Sequence, residues 1–437
     1  MMHRNILTVA LAALSLGVCT QAHAQAHRET AARDAVAKAS TDAAASLNLA
    51  KVLRRSGSYD AALAELRRGG ALASARAGDV AIRFKRETAL VYLDQGKYEQ
   101  AMTACRGLGA LKGADALGHA CLAEAHMLHK RATEALPEVT KALAASPTLY
   151  EAKVIEGYVR WQEAAPAEAE AAFRAAAASD GARTEAWLGL GRFLVANSRK
   201  AQGLEAFEKA VAADGDDPES LFALGSNLGG TDRAATLLRQ AVTGRPSFGA
   251  AHAKLADALL SLGRLHEAEQ EARTALGCSG VESDWHAVMG EVQLLRGQHD
   301  DALKSAEAAL RLISGNARAK LLLADAHAAK HDIDLAIEAW QAAFNLARTN
   351  PTPLVHAALG CLANQRETTA KAFADRATQG FPSWAPAWDA AGDVAAKAGD
   401  KAGARRAWQQ AISATEGNVD RDAIRRKIAA LGPPQKK

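Results

Sequence analysis

Four carboxylates, Asp257, Glu291, Asp325 and Asp393, recur at one position of a pattern that repeats through this 437-residue chain. Carboxylates fixed on one face are groups that a general acid and base would use. The rest of that chemistry is missing. His266-Glu267-Ala268-Glu269-Gln270 falls short of a zinc-binding H-E-x-x-H because Gln270 replaces the second histidine. A G-x-S-x-G elbow, a phosphate loop and a dinucleotide fingerprint are absent. His119, His252 and His286 share one repeat position, and none has a second ligand four residues on. The sequence therefore predicts no enzyme, no metal and no cofactor, with catalysis by the carboxylates as a remote alternative.

Cysteine usage bears on the compartment. Cys105 and Cys121 fall on adjoining helices of the pattern, where an oxidising environment would permit a disulfide. Two separate small core residues fit as well, because spacing alone does not fix the geometry a bridge needs. Cys278 and Cys361 are more than two repeats apart, too far to pair, and there is no C-x-x-C. At the N-terminus, His3 and Arg4 precede the apolar run Ile6–Cys19, and Ala22-His23-Ala24 follows as an A-x-A cleavage pattern. Residues 1–24 read as a secretory signal peptide, too short to span a bilayer comfortably. An uncleaved anchor is the alternative; a lipoprotein signal fits less well because Val18 precedes Cys19. The expected location is the periplasm of a Gram-negative cell, free or associated with the outer membrane, with no membrane span after cleavage. A net charge of +4 without clustered Lys and Arg predicts no nucleic-acid partner.

The elements that must position these residues are helices. In Thr184–Gly215, Trp187, Leu190, Gly191 and Leu194 sit three and four residues apart, and Gly203, Phe207 and Ala210 repeat that spacing after a polar break. Equivalent small residues fall at Ala50, Ala89, Ala123, Gly157, Gly191, Gly225, Ala256, Gly290, Ala324, Gly360 and Gly392, mostly 34 residues apart. A second set runs from Ala62 and Ala101 through Gly203 to Ala370 and Ala404. The first set marks the close crossing of two paired helices, where a bulky side chain would push them apart, and the second lies on the core face of the second helices.

The W-x2-L-G and small-x3-F-x2-A order, with the period of 34, resembles the tetratricopeptide repeat. That resemblance implies an all-α, right-handed superhelical solenoid of about eleven helical hairpins with a C-terminal capping helix. The expected division is a signal peptide over 1–24, a leader or helix over 25–42, the solenoid over 43–417, and the capping helix and tail over 418–437. The long step after the first repeat predicts an extra loop near Gly69–Gly78, and the sixth repeat is three residues short at Gly229-Gly230-Thr231. His119, His252 and His286 then stand where the family often has an aromatic.

The resemblance also implies a concave groove lined by the first helices. Family positions place Lys51, Arg54, Arg55, Arg83 and Arg86 at a basic end, Tyr158, Trp161 and Arg192 in the middle, and Asp257, Glu291, Asp325 and Asp393 at an acidic end, with Cys361 interrupting the acids. The alternative is a solvated helix face. The Lys and Asn pattern that the family uses to clamp a peptide carboxylate is absent. The resemblance thus implies a scaffold for protein subunits of a cell-envelope complex, serving exopolysaccharide export, a pilus or secretion. Binding of a polysaccharide, with Tyr158 and Trp161 stacking on sugar rings, is the second reading.

Overall fold

The structure, a computed structural model, describes residues 28–73, 78–278 and 281–432. The expected signal peptide lies outside them. The described residues hold 24 helices and no β-strand, beyond one isolated bridge between Trp384 and Glu416. They divide into two compact units, one ending at Leu262 and the other beginning at Gly263.

The first unit contains α1 (residues 28–38) and then helices that alternate as first and second members of each repeat: α2 (Ala43–Arg55), α3 (Tyr59–Ala73), α4 (Asp79–Asp94), α5 (Tyr98–Gly109), α6 (Asp115–Leu128), α7 (Ala132–Ala145), α8 (Tyr150–Gln162), α9 (Pro166–Ser179), α10 (Thr184–Ala196), α11 (Lys200–Ala213), α12 (Pro218–Asn227), α13 (Asp232–Gly244) and α14 (Gly249–Ser261). The second runs from α15 (Leu265–Gly277) through α16 (Ser283–Leu295), α17 (His299–Leu312), α18 (Ala317–Ala329), α19 (Ile333–Leu346), α20 (Thr352–Ala363), α21 (Glu367–Gly380), α22 (Ala385–Lys397) and α23 (Lys401–Ser413) to α24 (Arg421–Ala430).

The helices start and stop where the sequence provides for it. Asp217 caps α12 by accepting from the Ser220 amide at 3.0 Å, with Pro218 behind it in the first turn. Asn316 caps α18 in the same way through the Ala319 amide. Such caps satisfy amides that the helix itself leaves unpaired. One expectation is corrected in part: Gly69 and Gly70 lie within α3, which runs to Ala73, and residues 74–77 of the predicted loop lie outside the description.

The repeat mark works through close packing. Ala62, Ala101, Ala135, Ala169 and their successors to Ala404 are fully buried, except that Gly203 takes the place in the fifth repeat. The first-helix position is tightest where the facing side chain is aromatic. A Cβ on Gly191 would lie 2.4 Å from Phe207, one on Gly157 2.6 Å from Phe173, and one on Gly392 2.3 Å from Trp408. Glycine at this point makes room for the ring. Elsewhere Ala50 faces Leu66 and Ala123 faces Val139, pairs that fit with a methyl present.

The connection between paired helices needs a left-handed residue. Gly57, Gly96, Gly229, Gly263, Gly297 and Gly399 supply it at φ from 68° to 82°. Lys130, Ala164, Ser198, His331 and Gln365 adopt it in the remaining repeats, at φ from 57° to 66°. At the C-terminus α24 caps the last hairpin by burying Ile424 against Trp408. The segment before it is held to the start of α22, where the Ala385 amide donates to the Glu416 carbonyl at 2.7 Å.

Candidate partner-binding groove

In the first unit, the basic residues predicted to line the groove are mostly committed to neighbouring acids. Arg54 near the end of α2 bonds Glu87 of α4 at 2.6 Å and Asp94 of the same helix at 2.8 Å. Burial opposes the charge on Arg54, but the two carboxylates outweigh it and hold its pKa above the ordinary value. Arg86 of α4 reaches Glu151 of α8 at 3.1 Å, a full repeat past α6. Glu151 also takes Arg183 at 2.7 Å, and Arg183 in turn bonds Glu185 at 3.1 Å and lies 3.9 Å from the centre of the Tyr150 ring. Burial raises the pKa of Glu151, but Arg86 and Arg183 reverse that and hold it below the usual carboxylate value. Arg192 meets Glu219 at 3.2 Å, and Arg245 meets the same carboxylate at 2.8 Å.

Glu124 of α6 stands apart. It makes no hydrogen bond or ion pair among the described residues, and burial pushes its pKa up, with Arg86 opposing and Asp94 and Glu185 adding to the shift. Of the predicted basic end, Lys51 and Arg83 remain exposed and unpaired among the described residues. Arg55 is paired with Asp214 at 2.9 Å. Asp257 lies 3.9 Å from Lys254 on its own helix.

Tyr158 and Trp161 pack within the protein. Their rings stack on each other with centroids 6.5 Å apart, while Phe173 meets Tyr158 edge-on and Phe193 meets Trp161 edge-on. Both side chains are half-buried. Cys105 and Cys121 are joined by a disulfide, with their Cα atoms 5.4 Å apart. The bridge ties α5 to α6 and so links the second and third repeats. The spacing left this pairing open because it depends on how one hairpin sits on the next.

In the second unit each predicted carboxylate has its own partner. Glu291 accepts from Arg318 Nε at 2.7 Å and from its Nη2 at 2.6 Å. Asp325 accepts from the Trp340 indole and from His356 Nδ1, each at 2.7 Å. Burial disfavours the His356 cation, but the Asp325 bond outweighs this and raises its pKa. Asp393 accepts from Trp408 at 3.2 Å and from Lys427 of the capping helix at 2.7 Å. A donor thus stands against each of these three acids. Cys361 is buried, and burial pushes its thiol up to about 11. Of the three histidines, His119 bonds Glu138, His252 lies 3.0 Å from the Pro246 carbonyl, and His286 has its pKa lowered by burial.

Sequence alone could not have found Glu124, Glu151 or Glu185. Their importance comes from cross-repeat geometry, and the only local signal is a carboxylate on a first helix or in its opening turn.

Stacked hairpins with an inner face of polar and charged side chains define a repeat scaffold of the kind that binds other proteins. Tetratricopeptide-repeat models match residues 156–218 and 229–292, and a tetratricopeptide repeat-like model matches 293–433. The chain belongs to the tetratricopeptide repeat family. No curated protein sequence matches it. Among solved structures, the human IFIT1 dimer with PPP-AAAA is 16% identical with a TM-score of 0.51, over 78% of this chain and 85% of that one. Yeast Tom70 is 12% identical at a TM-score of 0.42, over 89% and 95%. PilW, a type IV pilus biogenesis factor, is 18% identical at 0.42, over 48% of this chain and 98% of its own. These likenesses are of fold alone.

Proposed function

We propose that the protein is exported to the periplasm and acts there as a non-enzymatic scaffold for protein subunits of an envelope assembly or export machine. The tetratricopeptide fold supports protein partners. The observation that carries the location is the Cys105–Cys121 disulfide, a bond that persists in oxidising compartments. The signal-like segment over residues 1–24 agrees with it. The choice among exopolysaccharide export, pilus assembly and secretion rests on the likeness to exported members of the family.

Cell fractionation with thiol trapping, followed by affinity capture, tests the reading. The expected result is recovery from the periplasmic fraction with Cys105 and Cys121 unreactive to alkylation, and envelope proteins in the captured material. Cytoplasmic recovery with both thiols reactive would remove the export reading. Capture that returns no envelope protein would remove the scaffold reading.

A further inference from the structure

The first unit closes on itself. Arg55, at the end of α2, donates to Asp214 just after α11 at 2.9 Å, across 159 residues of chain. Arg245, just after α13, donates from Nε to the backbone carbonyl of Arg55 at 3.2 Å. Arg28 of α1 pairs with Asp216. A Cβ on Gly57 would lie 2.3 Å from Ser247 Oγ. In a stacked solenoid each hairpin meets only its neighbours. These contacts skip the intervening repeats and set the first hairpin against the loops on either side of the sixth.

The junction is polar and largely exposed. The Arg28 and Arg55 side chains are 47% and 49% exposed, and Asp216 is 62% exposed. Pairs of this kind contribute little each and weaken as salt rises. A small void lined by Val52, Pro218 and Gly244 lies among them. Successive hairpins, by contrast, share buried apolar clusters such as the one from Ala43 to Val91. The stack is therefore firm along its length and weakly fastened where its ends meet. Further in, the Arg86–Glu151 pair joins α4 to α8 past α6.

We propose that these contacts form an ionic clasp that shuts the inner face of the first unit and releases it when the pairs are screened or outcompeted. Glu124, the inner-face carboxylate that has no partner among the described residues, becomes reachable to a large partner only after release. The clasp goes beyond the scaffold reading and does not depend on which partner binds.

The test needs no partner. In a full-length Cys278→Ser, Cys361→Ala background, Glu124→Cys is labelled with a maleimide carrying a polyethylene glycol chain of several kilodaltons. Labelling is expected to be slow at low salt. At high salt, or with Asp214→Ala and Asp216→Ala, it should accelerate about tenfold, as expected for loss of two weak pairs. A lock distinguishes opening from general loosening. The Cβ positions of Gly57 and Ser247 are 3.6 Å apart, within disulfide reach. Gly57→Cys with Ser247→Cys, once oxidised, should keep labelling at position 124, read by peptide mapping, slow at high salt. Should Glu124→Cys fail to fold, Glu124→Gln with Ala120→Cys, a buried position on the same helix, serves as the reporter. Labelling that ignores salt, the charge removals and the lock would overturn the clasp.

Discussion

The two units are built from one hairpin, yet they satisfy their inner-face charges differently. In the first, neighbour pairs such as Arg54–Glu87 and Arg192–Glu219 are joined by longer ones, Arg86 crossing from α4 to α8 and Arg55 to the loop after α11. In the second, Glu291 meets Arg318, Asp325 meets His356, and Asp393 meets Lys427, each one repeat along. Pairs between neighbours reinforce a stack without constraining its curvature. Pairs between distant repeats also constrain how the hairpins between them stack. The same fold thus provides a fastened ring of charge in one region and an evenly partnered ladder in the other.

The largest effect should come from Arg54→Ala. It strands Glu87, whose side chain is 5% exposed, together with Asp94. Stranding a buried charge costs about 3–5 kcal/mol. Arg318→Ala in the second unit removes a pair whose members are 28% and 27% exposed, and should cost at most about 1 kcal/mol. Urea denaturation of the two variants, followed by hydrogen exchange to assign the loss to a unit, measures this contrast. Equal costs would erase it.

Next is the disulfide. Cys105→Ser with Cys121→Ser should lower stability by about 2–4 kcal/mol, the usual range for a short bridged loop. Hydrogen exchange should report the loss in the first unit. A loss spread evenly over both units would contradict their separation.

Gly191→Ala should cost about 1–3 kcal/mol, because its Cβ would meet Phe207 at 2.4 Å. Thermal unfolding checks it, and adding Phe207→Leu should recover most of the loss.

The smallest effect is a pH dependence of the second unit. The folded pKa of His356 is raised by Asp325, so its contribution is fully present below the unfolded value near 6.5 and is lost as pH rises through the folded value. His356→Gln should flatten that slope in urea titrations across neutral pH. An unchanged slope would assign it to another group.

The stacking was legible in the sequence because it is local. The period of 34 and the small residues at helix crossings placed the hairpins, and the structure buries those positions in repeat after repeat. Glycine marked only some of the left-handed turns; Ala164 and Ser198 adopt the same backbone without it, held by the helices on either side. The groove was less legible. Arg54, Arg55, Arg86 and Arg192 were visible as charges, but their partners Glu87, Asp214, Glu151 and Glu219 were not. Which charges meet depends on curvature accumulated over several repeats, and no short window of sequence encodes it. Tyr158 and Trp161 read as open platforms because their aromatic neighbours Phe173 and Phe193 come from other helices.

The most direct test of an inner face that binds protein subunits is photocrosslinking in intact cells. A photoreactive residue would replace Arg83 in the first unit and, in a second strain, Glu291 in the other. The scaffold reading predicts adducts to an envelope protein from at least one position, identified by mass spectrometry. Stable, exported protein that yields no protein adduct from either position would contradict it.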